Sequence, residues 1–326
     1  MKQSRRLMGK PELGTEEFPF LIENVFDYIA FRNEMIIGNT FSGIHHKVTN
    51  NIDFTGFTIP YQNAVYEGHF HGNYKVFKNI IIDDKAPTFN STALFGSVNG
   101  ILENLAFINV YINRLGKAGI NNNTGAIGYG GNGIIRKVYV QGIIIQKVNY
   151  ELAGIATQFS GLIENCVVDF VATKDGGYGY ANIINSRAQQ FEVRNCLSKG
   201  TINGGSGNAF GICRTENSSA KISNCVNLAT INATLAGTVG SKRIAGGHAN
   251  TPQLINNYSL DTALLNNAIP TIDIGASLRN GANATETQLK SLAFYRDTMG
   301  WDMDTIWEIV SEDITYPRLR GFNYTF

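Results

Sequence analysis

Four of the five histidines in this chain fall in two close groups, His45-His46 and His69-Phe70-His71. Side chains alternate along an extended strand, so His69 and His71 share one face and present two imidazoles, the commonest ligand type for zinc-like ions. His45 and His46 are available as helpers. The sequence pattern places no carboxylate beside them, so they read as surface histidines in a turn, and no metal or other cofactor is expected. Glycan hydrolysis would need two carboxylates about 5 to 9.5 Å apart. Asp83-Asp84, Asp169 and Asp175 are the acids on offer, the last two bracketing a loop that continues Gly176-Gly177-Tyr178-Gly179-Tyr180. Asp and Gly are also ordinary turn formers, so no catalytic residue is assigned. Tyr129, Tyr139, Tyr178 and Tyr180 offer aromatic faces for sugar stacking and, with Asp175, form the candidate binding set. His-Glu-x-x-His, the phosphate-binding Gly-x-x-x-x-Gly-Lys and the Gly-x-Ser-x-Gly elbow are all missing.

These residues must be positioned by a phrase that returns through the chain: an apolar residue, a polar one, Asn, then an apolar strand. It occurs at Phe77-Lys78-Asn79-Ile80, Leu102-Glu103-Asn104-Leu105, Ile163-Glu164-Asn165-Cys166, Val193-Arg194-Asn195-Cys196 and Ile222-Ser223-Asn224-Cys225. Ile135-Arg136-Lys137-Val138 and Ile255-Asn256-Asn257-Tyr258 are weaker copies. The spacing, roughly 25 to 33 residues, is that of a solenoid. Apolar residues stand two before Asn and one and three after it, positions that a straight strand would send to opposite faces. The chain must therefore turn at Asn, which tolerates the left-handed conformation better than other non-glycine residues. Stacked at about 4.8 Å per rung, such corners give a right-handed parallel β-helix with a ladder of Asn79, Asn104, Asn165, Asn195 and Asn224.

Upstream of the corner, several copies carry a glycine-bearing segment: Leu94-Phe95-Gly96, Gly125-Ala126-Ile127-Gly128, Gly154-Ile155-Ala156 and Phe210-Gly211-Ile212. With these segments the chain resembles the GLUG-repeat proteins of bacteria and phages, over most of residues 14 to 322. The resemblance implies a β-helix. It is weak for function, because such repeats occur in adhesins, secreted enzymes and virion proteins alike.

Two further patterns follow from the register. Lys78, Glu103, Arg136, Glu164 and Arg194 precede successive corners with alternating sign, which reads as an exposed ladder of ion pairs that favours correct register. Cys166, Cys196 and Cys225 each follow the corner Asn, and Cys213 lies in a glycine-bearing segment. They read as buried free thiols packing as small apolar groups.

The chain has 326 residues, 35 of them glycine, with 43% hydrophobic and 16% charged residues, as suits a long narrow core with many turns. A net charge of +1 favours neither nucleic acid nor an anionic membrane, and no apolar run reaches the roughly 20 residues that span a bilayer. Residues 1–13 read as a flexible basic arm without the apolar stretch of a signal peptide, so Sec export is not expected of this sequence. Residues 14–40 read as an N-terminal cap with a helix at 24 to 35, 41–275 as the repeats, and 276–326 as a C-terminal cap with a second short helix.

The function expected from these features is a non-enzymatic structural or host-surface-binding module. The favoured setting is a phage virion, as a tail, fibre or spike component made in the host cytoplasm and forming a trimer. The arm would join it to other virion proteins, and a host-surface glycan would be its ligand. The alternatives are a bacterial surface adhesin and a glycan-depolymerising β-helix enzyme.

Overall fold

In the computed structural model the repeats wind into a parallel β-solenoid of about seven turns, nearly all-β, with three short helices. Residues 13–324 are described, apart from 60–63, 85–90, 115–122, 147–150, 175–178, 187–188, 206, 234–239 and 248–250. The largest sheet has 17 strands. Its parallel series runs through Phe20–Ile22, His45–Val48, His69–Lys78, Ile101–Arg114 and Ile134–Gln146, then through the split rungs Leu162–Glu164 with Val167–Lys174 and Glu192–Arg194 with Leu197–Gly205. The glycine-bearing segments form the opposite wall. There Ile155, Ile183 and Ile212 donate their backbone N–H to the carbonyls of Ile183, Ile212 and Ile244 on the next turn, and all four side chains are buried.

The corner explains why Asn recurs. Asn104, Asn165, Asn195, Asn224 and Asn256 have φ between 52° and 55°, the left-handed region, and strand register stacks them in one column. Lys137, with φ 52°, fills the same column between Asn104 and Asn165. Asn79 is not in it. Asn79 also has a left-handed φ of 60°, but it pairs with Asn109 at a second corner, where Asn109 Nδ2 donates to Asn79 Oδ1 at 2.7 Å and Asn79 Nδ2 donates to Asp53 Oδ1 at 2.9 Å. A left-handed Asn between inward apolar residues looks the same in sequence at either corner. In the Asn79 turn the first corner is made by Asn73 and Tyr74, both left-handed, where the register shifts.

Close stacking also demands glycine. A Cβ on Gly100, Gly133 or Gly161 would lie 1.9 to 2.0 Å from the carbonyl oxygen of the glycine one turn before, Gly68, Gly100 or Gly133. Only hydrogen fits at those three positions.

The helix Val25–Ile36 starts at Asn24, whose side chain accepts from the N–H groups of Phe26 and Asp27. It buries Tyr28, Phe31 and Met35 against the first coils, with Tyr28 edge-on to Phe54 and Phe77. Of the C-terminal cap expected at 276–326, the first part covers the last rung, with Asn257 N–H donating to Ala276 O and Ala282–Ala284 pairing with Tyr258–Leu260, while the rest runs elsewhere. After the short helix Glu286–Leu289 the chain travels back along the side of the solenoid, so Phe294 meets Tyr258, Trp301 Nε1 donates to Asn224 O at 2.9 Å, Trp307 Nε1 donates to Asn165 Oδ1 at 3.1 Å, and Phe322 reaches Tyr74. This strap covers a column of outward side chains, one per turn: Val76, Ala106, Tyr139, Val167, Leu197, Val226 and Tyr258. The strap supplies the apolar layer that an outward apolar column requires.

Candidate functional site

Where the strap ends, it leaves a groove against the sheet. The groove holds about 350 Å³ and is lined by Tyr139, Val167, Lys199, Ile314, Thr315, Tyr316, Pro317, Arg318 and Tyr324. Tyr139 comes from the outward column of Ile134–Gln146 and meets Tyr324 edge-on at 5.7 Å. Tyr316 and Tyr324 come from the strap, flanking the short antiparallel pair of Trp307–Glu308 with Arg318–Leu319. Burial pushes the Tyr139 hydroxyl well up, and the charge of Asp169 adds to this. Each ion here has a partner: Lys199 lies 3.4 Å from Asp169, and Arg318 Nε lies 2.7 Å from Glu308 while its guanidinium covers Tyr324. The result is a partly apolar trough, walled by three phenol rings with neutralised polar groups along its rim. Aromatic rings beside a few fixed polar groups are what a saccharide chain stacks on.

A second constellation lies over the first coils. His45, from His45–Val48, and His69 and His71, from His69–Lys78, point outward together, with one ring nitrogen of each within 4.8 Å of the others. His45 Nδ1 and His71 Nε2 are 3.2 Å apart. Glu103, on the following turn, brings Oε1 to 2.9 Å from His69 Nε2 and 2.7 Å from His71 Nδ1, while its Oε2 accepts from Arg136 Nε at 2.7 Å. Burial alone would raise the Glu103 carboxyl, but the hydrogen bonds from His69 and Arg136 outweigh it and hold the group at about 2. His46 faces the other way. It is buried beside Tyr66, whose hydroxyl is 3.2 Å from His46 Nδ1, so burial, reinforced by His45, lowers it to about 4.

The residues singled out from sequence are dispersed. Asp175 and Tyr178 lie outside the described residues. Tyr180 cannot stack a ligand, because its side chain is fully buried in the core beside Asn182. Tyr129 sits on the glycine-bearing wall, with its hydroxyl donating to Ala64 O at 3.3 Å, and only Tyr139 lines the groove. Asp169 is held by Lys199. The charge strip forms in part: Glu103 with Arg136 and Glu164 with Arg194 each approach to 2.7 Å, while Lys78 belongs to the other corner and pairs with Asp53 at 3.3 Å. The place that Lys78 was expected to fill below Glu103 belongs to His71. Cys166, Cys196, Cys213 and Cys225 are free and buried, and burial pushes the last three thiols well up.

Reasoning from sequence missed Tyr316 and Tyr324, and it placed Glu103 only in the charge ladder and not beside the histidines. The signal for the strap was present, since the residue two after the corner, Val167, Leu197 or Val226, is apolar although it points outward.

No family model matches the sequence, and no curated protein matches it. Among solved structures, the chain is similar to a crystal structure described as "a putative immunoglobulin A1 protease from Bacteroides ovatus", with a TM-score of 0.65, 18% sequence identity and 94% of each chain covered. That likeness shows a shared β-helix fold across nearly the whole chain.

Proposed function

We propose that this protein is a non-enzymatic binding solenoid of the GLUG-repeat type that takes up a saccharide chain of a host surface in the groove between strap and sheet. The observation that carries the reading is the convergence of Tyr139, Tyr316 and Tyr324 on one trough from two separate parts of the chain. The setting we favour is a phage particle, with the module as a trimeric tail, fibre or spike component. A bacterial surface adhesin is the alternative, and the bacterial source of the structural neighbour supports it. The peptidase description of that neighbour is not carried over, because a likeness at 18% identity shows the fold alone.

The test is a glycan array with wild-type protein, followed by Tyr139→Ala and Tyr316→Ala on any positive glycan. Stacking is worth roughly 0.5–1.5 kcal/mol per aromatic pair, so each variant should weaken binding about 2- to 13-fold at unchanged secondary structure. Retained binding in both folded variants would remove the groove from consideration. Cleavage of the glycan, lost in Asp169→Asn, would favour the depolymerase instead. Recovery of the chain from purified particles or from the outer face of cells decides the setting.

A further inference from the structure

The histidine cluster stands apart from the groove and does not depend on its role. We propose that His45, His69 and His71 bind a divalent transition-metal ion of the zinc class, with Glu103 as the outer acceptor that orients the rings. Three side chains from two consecutive turns converge, each offering a ring nitrogen within 4.8 Å of the other two. The His45 Nδ1 to His71 Nε2 separation of 3.2 Å is close to the edge of a tetrahedron around zinc, about 3.3 Å for a Zn–N bond of about 2.0–2.1 Å. Glu103 occupies the place that carboxylates take behind metal-bound imidazoles: its Oε1 meets His71 Nδ1 at 2.7 Å, which leaves His71 Nε2 for the ion. Arg136 holds the other oxygen, so the carboxylate is fixed outside the coordination shell.

The donor set selects the ion. Imidazole nitrogen suits zinc, cobalt, nickel and copper, whereas calcium and magnesium call for oxygen ligands. The side chains of His69 and His71 are 19% and 24% exposed, enough for an ion to enter from solvent and for a water or an external donor to take the fourth position. Because the ligands span two turns and their acceptor a third, bound metal would clamp the first coils together.

Chelator-treated protein titrated with Co²⁺ should bind one equivalent and develop the strong visible absorption of a tetrahedral nitrogen site, which Zn²⁺ should then abolish by displacement. Zn²⁺ should also raise the melting temperature. His45→Ala, His69→Ala and His71→Ala should each remove the cobalt spectrum, and Glu103→Gln should weaken affinity about 10- to 100-fold. X-ray absorption on the zinc-loaded wild type counts its imidazole ligands without any substitution, and three are expected. Failure of the folded wild type to bind either metal would overturn the proposal. So would binding retained in the triple histidine variant, or a zinc shell lacking imidazoles.

Discussion

Lys137 is the odd residue in its column, since the left-handed conformation costs a non-glycine residue about 1–2 kcal/mol and Asn relieves it by bonding locally. Lys137→Asn is therefore expected to stabilise the protein by up to about 1 kcal/mol, visible as a higher melting temperature. Asn165→Val should act in the opposite sense. It combines a β-branched residue at φ 52° with loss of the Trp307 hydrogen bond, for a cost of about 2–3 kcal/mol in a denaturant titration. A second residue-level expectation concerns alkali. Burial raises the Tyr129 phenol to about 12 and pushes Tyr139 and Tyr180 higher still. A folded-state pKa above the unfolded value near 10 means full stability below about pH 10 and progressive loss as pH climbs through 12. Phenolate absorbance followed against pH should show these rings ionising late, together with unfolding, and a simple titration near 10 for all tyrosines would contradict it. At this scale the sequence was legible where one residue type has one reason to be present, as with a left-handed Asn. It was opaque for Tyr180, because a tyrosine in a strand has the same letter whether its ring is inside or outside.

Among the elements, the strap carries the clearest consequence. Trp301 and Trp307, the only tryptophans of the chain, stack at 4.2 Å over the Asn corner. Their fluorescence thus reports strap attachment, while far-UV circular dichroism reports the coils. Trp307→Ala should cost about 3–5 kcal/mol locally, release the strap and expose the outward column from Val76 to Tyr258, detectable as increased binding of a hydrophobic dye with the β spectrum retained. Loss of both signals in one transition would mean that strap and coils form a single cooperative unit. The coils themselves were readable from the recurring phrase, and the helix Val25–Ile36 from its Asn24 cap. The strap escaped because its two-residue strands and single-turn helices carry no periodicity. The meeting of His71 with Glu103 escaped for a related reason: the register shift between His71 and Lys75 hid which corner the histidine preceded.

For the molecule as a whole, residues 1–12 lie outside the described residues, and the prediction for them rests on the sequence reading of 1–13 as a flexible basic arm. Deleting them should leave the melting temperature unchanged, and on the particle reading it should abolish incorporation, measurable by complementation with the shortened chain. A large drop in melting temperature would show that the arm belongs to the fold. The backbone N–H of His45 donates to Gly14 O at 2.7 Å in the first coil, and Phe322 lies against Tyr74 in the second. Because the strap doubles back, it returns to the first half of the solenoid, where Phe322 meets Tyr74 and Tyr324 meets Tyr139, and the turn at Gln253–Leu260 with Ala282–Ala284 lies at the end opposite Gly14. Held through its first half, such a body would project its last coils outward. Tension applied between Gly14 and Phe322 would load the seam between strap and coils before it reached the coils, so a pulling experiment should record an early, separate extension as the strap peels away.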